Sequence, residues 1–200
     1  MKTVSEMKIW KTFLLIFVIV GICSCSDKST NNQNELSNES FTTRDFFPSD
    51  LGNNWIYKNT YNEIWDWTII DQMTIENTQV YLTSESQGFG INNNVLEWYL
   101  NIDEDEWCHM PIIDGNLEVG EIIEIPYIDQ DGEEDIVRIE RLENSTEDVL
   151  AGDFECVRFE NSDFDMNDLY LSKDIGFVRL VDTGNEDENF QLTEFNLGSN

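Results

Sequence analysis

Beyond about residue 45, apolar and polar residues alternate with a period of two. Trp65, Trp67 and Ile69 share one face of a run. Leu96, Trp98, Leu100 and Ile102 share a face of another, with Glu97 and Asn101 opposite. Phe177, Arg179 and Val181 oppose Val178 and Leu180. Successive side chains of an extended strand point to opposite faces, so this pattern predicts strands with one buried side. The runs are rich in Ile, Val, Tyr, Trp and Phe, the residues that strands favour. They predict strands at 54–61, 64–75, 78–85, 95–102, 106–112, 119–128, 135–143, 154–160, 167–172, 176–182 and 189–197. In this region no segment holds helical periodicity over three turns.

Turn chemistry separates the runs. Asp131-Gly132 and Asp114-Gly115 read as hairpin turns. Asp103-Glu104-Asp105-Glu106 reads as a hairpin tip between two aromatic strands. Short connections between consecutive runs argue for an antiparallel sheet rather than βαβ units. A sheet of that many strands must curl or split. The expected fold is therefore all-β: a single antiparallel curved sheet, barrel or half-barrel-like, with large side chains on its concave face.

The chain ahead of this region is different. Lys2, Lys8 and Lys11 precede an uncharged apolar run from Phe13 to Ile22. At about 1.5 Å per residue that run falls well short of a hydrocarbon core of about 30 Å. A basic start, a short apolar run and a small residue at the end predict a secretory signal over residues 1–24. Ile22-Cys23-Ser24-Cys25 resembles a bacterial lipobox, with an aliphatic residue at its start and a small residue just before the cysteine. The resemblance implies cleavage before Cys25 and acylation of Cys25 with chains such as palmitate. It also implies anchorage to the outer membrane, on its periplasmic or its surface-facing side. Each buried CH₂ contributes about 0.8 kcal/mol to such an anchor. Ser26-Asp27-Lys28 matches only in part the acidic stretch that resembles a surface-export signal in lipoproteins of the Bacteroidota.

The segment after the cysteine is rich in Ser, Thr, Asn and Glu, with Leu36 its one large aliphatic residue before Phe41. It buries too little surface to offset ordering. Residues 25–45 are thus expected to be a lipidated cysteine and a disordered tether, spanning on the order of 25 Å. Residues 46–200 remain as one antiparallel β domain with a real core.

The whole chain has 11 basic and 41 acidic residues, a formal net charge of −30. Removal of residues 1–24 takes three basic residues and one acidic residue, which leaves eight and forty, or −32. Nucleic-acid affinity comes from Lys and Arg displacing counterions, so this charge excludes nucleic acid as a partner. It also disfavours adsorption to anionic head groups, which leaves the lipid anchor as the route to the membrane. Cationic partners and divalent metals are compatible with it.

Two stretches carry a resemblance that covers nearly the whole domain. The first is Phe46-Phe47-Pro48-Ser49-Asp50-Leu51-Gly52-Asn53-Asn54-Trp55-Ile56-Tyr57. The second is Leu150-Ala151-Gly152-Asp153-Phe154-Glu155-Cys156-Val157, followed by Leu169 to Val178. They resemble a group of bacterial lipoproteins common in Bacteroidota, which open with F-P-x-x-x-G-N-x-W-x-Y and later carry A-G-T-F and G-V-G-x-V. Here Asp153 stands for the Thr, and Asp174-Ile175-Gly176 for Gly-Val-Gly. The resemblance implies a secreted β domain, similar to the curved half-barrels of lipoprotein carriers, and brings no catalytic residue. The residues also have readings of their own. Gly52-Asn53 supplies a turn ahead of a strand that starts near Trp55. Ala151-Gly152 makes a tight corner, and Gly176 breaks the run between two strands.

Candidate chemistry is sparse. Cys108 and Cys156 are either a disulfide, as an exported protein permits, or two buried small hydrophobes. His109 is the single histidine, and as strand neighbours Cys108 and His109 point to opposite faces, which argues against a catalytic dyad. Asp129, Asp131 and Asp135 around Gly132 resemble part of a Ca²⁺ loop, while a plain hairpin turn explains them equally well. Trp65, Trp67, Trp98, Tyr99 and Trp107 either line a groove for a sugar or apolar ligand or form the core. No nucleophile-elbow, H-E-x-x-H or P-loop motif is present. The expectation is a non-catalytic cell-envelope lipoprotein whose β domain binds a ligand or a partner protein. A lipid or lipoprotein carrier with an apolar concave face is the first alternative, and a hydrolase of unrecognised type the second.

Overall fold

The computed structural model describes residues 42–103, 106–164, 166–184 and 189–198, with only the backbone for Ile102, Asp103 and Glu106. The signal segment 1–24, Cys25, the tether up to residue 41 and the centre of the 103–106 tip lie outside the described residues.

Among the described residues, twelve strands follow one short helix, α1 (Thr43–Phe46). They are β1 (Asn54–Lys58), β2 (Ile64–Ile75), β3 (Thr78–Thr83), β4 (Gln87–Asn92), β5 (Val95–Asp103) and β6 (Glu106–Asp114). Then come β7 (Ile122–Ile128), β8 (Glu134–Val149), β9 (Gly152–Asn161), β10 (Asp168–Ser172), β11 (Gly176–Val181) and β12 (Asn189–Asn196). All belong to one sheet in the order β6-β5-β4-β3-β2-β1-β12-β11-β10-β9-β8-β7. Each half is an up-and-down meander, and the antiparallel pairing of β1 with β12 joins the halves. The sheet curls into a barrel that is nearly closed. Its break lies between β6 and β7, which are neighbours in sequence but share no ladder.

The alternation places the strands well, with two differences. β4 is a strand where the sequence pattern predicts none, because Gly88 and Gly90 lower its strand character. Those glycines are steric requirements. A Cβ on Gly90 would lie 2.8 Å from the Tyr99 ring, and one on Gly88 2.6 Å from Val80 Cγ1. The two neighbouring strands fold their side chains over β4. Second, Asp114-Gly115 is no hairpin turn: it opens the 115–121 connection that crosses the break. Gly115 N–H donates to Asn94 O, and a Cβ there would lie 2.7 Å from Asn94 Nδ2. Asp131-Gly132 does turn a hairpin, with Gly132 at φ +80° between β7 and β8.

One end of the barrel is plugged. Thr43 N–H donates to Asn94 Oδ1 (2.6 Å), which seats α1 against the β4–β5 turn, and Asp174 N–H donates to Asp45 O (2.8 Å). Phe46 and Phe47 are buried there. The Phe47 ring lies 4.9 Å from Phe89, 5.8 Å from Trp55 and 6.0 Å from Phe177, and Trp67 packs on Phe89 and Phe177 above it. The two stretches singled out in the sequence meet in this plug. Trp55 Nε1–H donates to Ile175 O (2.5 Å) and Tyr57 O–H to Phe177 O (3.0 Å). Gly176 sits between those carbonyls at φ +98°, a conformation that disfavours any side chain.

Most described arginines are committed to the barrel wall. Arg158 grips Asp168 with two hydrogen bonds (2.9 and 2.7 Å), and Tyr170 O–H donates to the same carboxylate. Arg179 pairs with Glu147 (2.9 Å), and both guanidinium groups lie over the Tyr170 ring. Arg138 pairs with Glu140. Arg141 is buried against Phe159, donates to Asn144 Oδ1 and two carbonyls, and is lowered to about 10 by burial.

Asn161, fully buried at the end of β9, bridges the break in the sheet. Its Nδ2 donates to Pro111 O (3.1 Å) and Ile112 O (3.2 Å) of β6. Its Oδ1 accepts from the N–H groups of Asp163 and Phe164 (both 3.1 Å), which shapes the β9–β10 loop. Buried polar groups that lose their partners carry a desolvation penalty of about 1–3 kcal/mol each. Asn161→Ala is therefore expected to destabilise the barrel by about 2–4 kcal/mol in urea unfolding. A loss below about 0.5 kcal/mol would mean that other contacts hold the break.

Candidate functional site

Antiparallel neighbours place successive connections at alternate ends of the barrel. The plugged end collects 76–77, 93–94, 115–121, 150–151 and 173–175. Among the described residues, the other end collects 59–63, 84–86, 129–133, 162–164, 166–167 and 182–184. At this second end, beside the break between β6 and β7, lies an open cavity of about 670 Å³.

Its walls come from side chains that strand alternation turns inward. Trp65 enters from β2, Gln87 from β4, and Trp98 and Leu100 from β5. Cys108 and Met110 enter from β6 and Tyr127 from β7, on the two sides of the break. The β9–β10 loop that Asn161 shapes contributes Phe164 and Met166. The Phe164 ring meets Trp98 at 4.4 Å, edge to face, and Trp65 stacks on Phe190 at 3.8 Å. Below Trp98 the barrel is filled by Trp67 and Phe89. The cavity is consequently a bowl above a packed aromatic column. Its rim carries Asp129, Asp135, Asp163 and Asp182, together with Gln130. Three lining side chains keep buried polar atoms without a hydrogen bond: Gln87 Oε1, Trp98 Nε1 and His109 Nδ1.

The aromatic set is divided by the fold. Trp65 and Trp98 line the cavity, and Trp67 is buried in the column beneath it. Tyr99 lies on the outer face, where it covers Gly90, donates to Glu97 Oε2 (2.6 Å) and stacks on His109 at 5.1 Å. Trp107 has the same strand parity as His109 and so belongs to that outer face. Cys108 and His109 do part to opposite sides of β6. Gln87, Tyr127, Phe164, Met166, Asp163 and Asp182 carried no signal of their own in the sequence. They sit on the missed strand β4, on an edge strand or on loops.

The acidic hairpin serves its own turn. Asp129 Oδ1 accepts from the N–H groups of Asp131 (2.9 Å) and Glu133 (2.8 Å), and Asp135 Oδ1 accepts from Ile136 N–H. Among the described residues no three His, Cys, Asp or Glu side chains gather as a metal-holding group. Cys108 and Cys156 are free thiols: Cys108 faces the cavity and Cys156 is fully buried in β9. Burial raises the Cys108 thiol and pushes Cys156 up to about 12, helped by Glu147. No helix among the described residues is long and apolar enough to cross a membrane.

Burial, and then the negative charge of Asp135, holds the Asp163 carboxyl above its ordinary range, against a pull downward from the Ser162 hydroxyl. Tyr127 is raised by burial and by Asp163, Asp135 and Asp129. The rim is thus a place where negative charge is crowded.

Two solved structures resemble the chain in overall path. One is a candidate lipoprotein from Parabacteroides distasonis, 14% identical, with a TM-score of 0.38, covering 76% of this chain and 98% of that one. The other is a candidate exported protein with a YmcC-like fold from Bacteroides fragilis, 10% identical, with a TM-score of 0.43 and the same coverage. No family profile and no curated protein sequence matches the chain.

Two outcomes are expected here. In a Cys25→Ser chain, a maleimide is expected to label Cys108 slowly in the native state and Cys156 only after unfolding, as mass spectrometry will count. A pair of thiols that reacts only after reduction would instead reveal a disulfide. For Asp163, a raised folded value means that the folded state holds its proton more readily than the unfolded one. Stability therefore falls as pH rises through the window from the ordinary carboxyl value to the folded value, and stays lower above it. Asp163→Asn is expected to raise the melting temperature at neutral pH. That gain should vanish near about pH 3, where the carboxyl is protonated in both states.

Proposed function

We propose that this chain is an exported lipoprotein of the cell envelope, cleaved before Cys25, acylated there and held at the outer membrane. Residues 25–45 serve as its tether, and the barrel of residues 46–200 serves as a non-catalytic module that binds a small ligand. The observation that carries the binding role is the 670 Å³ bowl beside the break in the barrel, floored by Trp65, Trp98, Met110, Phe164 and Met166. Ligand sites of drug-sized molecules are concave, mostly apolar, and of this volume. α1, the first described element, sits at the plugged end, opposite the bowl. The packed column under Trp98 favours a small ligand over the acyl chains of a carried lipoprotein, which need a deep empty hollow.

The anchoring half of this reading is tested in cells fed an alkyne-bearing palmitate. The wild-type chain is expected to carry the label and to sediment with membranes, and Cys25→Ala to lose both. A wild-type chain that stays unlabelled and soluble would remove the lipoprotein reading. The binding half is tested through Cys108, which an occupant of the bowl should shield from maleimide.

A further inference from the structure

The loops around the bowl carry a one-sided charge. In the connections at that end, the described residues include Glu63, Glu85, Asp129, Asp131, Glu133, Asp163 and Asp182, and neither a Lys nor an Arg. Lys58, which ends β1, is not among the residues that line the bowl. The lining itself holds Asp129, Asp135, Asp163 and Asp182, with His109 as its one basic side chain. His109 is engaged on the outer face: it stacks on Tyr99, and its nitrogens lie 3.7 Å from Glu97 and 3.8 Å from Glu76. The arginines Arg138, Arg158 and Arg179 are paired with carboxylates on the wall.

Aromatic walls and a carboxylate rim recognise the two halves of one kind of molecule. Indole faces attract a cation through the ring quadrupole as well as an apolar body. Rim carboxylates in a concave site concentrate cations and repel anions. Of the unpartnered buried atoms on the same lining, Gln87 Oε1 turns the negative end of a carbonyl dipole toward a cation, and Trp98 Nε1–H is a donor open to a polar atom of the ligand's body. We infer that the bowl binds a small organic cation, an ammonium group carried on an apolar body, and rejects fatty acids and other apolar anions. This rests on the proposal that the bowl is a ligand site and adds the class of ligand. An apolar anion would bury its tail on Trp65 and Trp98 only by placing its charge among four aspartates. That arrangement separates this bowl from a fatty-acid carrier.

The test uses three probes of matched chain length with different head groups: decyltrimethylammonium, decanol and decanoate, below their micelle concentrations. The mature chain with Cys25→Ser is titrated with each, with tryptophan fluorescence and the maleimide rate of Cys108 as independent readouts. Decyltrimethylammonium is expected to bind about tenfold more tightly than decanol, and decanoate more weakly than either. Raising NaCl from about 0.02 to about 0.3 M should erode the preference for the cation and leave decanol unchanged. The exposed double variant Asp135→Asn with Asp163→Asn should retain decanol binding and lose most of that preference. Equal binding of all three probes, or a preference for decanoate, overturns the cation assignment while the ligand bowl stands. Failure of every probe to shield Cys108 or to change the fluorescence overturns both.

Discussion

The wall of this barrel is continuous except between β6 and β7, and the buried amide of Asn161 spans that break. A closed barrel satisfies every backbone group through its neighbours. Here two edge strands face each other without a ladder, and two carbonyls of β6 take their hydrogen bonds from a side chain of β9 instead. The same amide, through its oxygen, turns the 162–167 loop inward so that Phe164 reaches Trp98. The opening and the floor of the bowl thus share one cause. Where β6 and β7 diverge, Met110 and Tyr127 line the cavity from the two sides of the break.

The plugged end answers a different demand. A curved sheet leaves a hole at each end, and large aromatic side chains fill the lower one. Phe46 ends, and Phe47 caps, a four-residue helix that could not stand alone and is held by Asn94 and Asp174. Trp55 and Tyr57 bind carbonyls beside Gly176, so the start of the domain is fastened to a hairpin some 120 residues later. The base is thus packed solid, while the mouth stays open.

Charge follows the same division. On the outer wall Arg158 and Arg179 form ion pairs across strands and cover the face of Tyr170, while Arg138 pairs with Glu140 of its own strand. Such pairs support sheet register more than total stability. Their consequence for function is distributional. With these bases held on the wall, the described connections at the mouth carry acidic residues and neither a Lys nor an Arg.

Much of the architecture was legible along the chain. Period-two alternation marks a strand because each side chain must choose one of two faces, and that choice is local. It therefore located β2 as it stands and most other strands within a few residues. It missed β4, since Gly88 and Gly90 look like loop residues until Tyr99 and Val80 are seen to cover them. It also read Asp114-Gly115 as a hairpin, because a turn dipeptide does not reveal whether the strands beside it pair. The candidate site was legible only in part. Trp65 and Trp98 were among the aromatics, but their separation from Trp67, Tyr99 and Trp107 depends on which face of a curved sheet is inside. By itself the sequence determined an acidic antiparallel β domain with aromatic-rich strands and an export-like beginning, because composition and local periodicity carry that information. Tertiary structure alone decided where the barrel stays open, which aromatics meet the carboxylates there, and that the arginines lie elsewhere. Those are distances between residues far apart in the chain, and no local pattern encodes them.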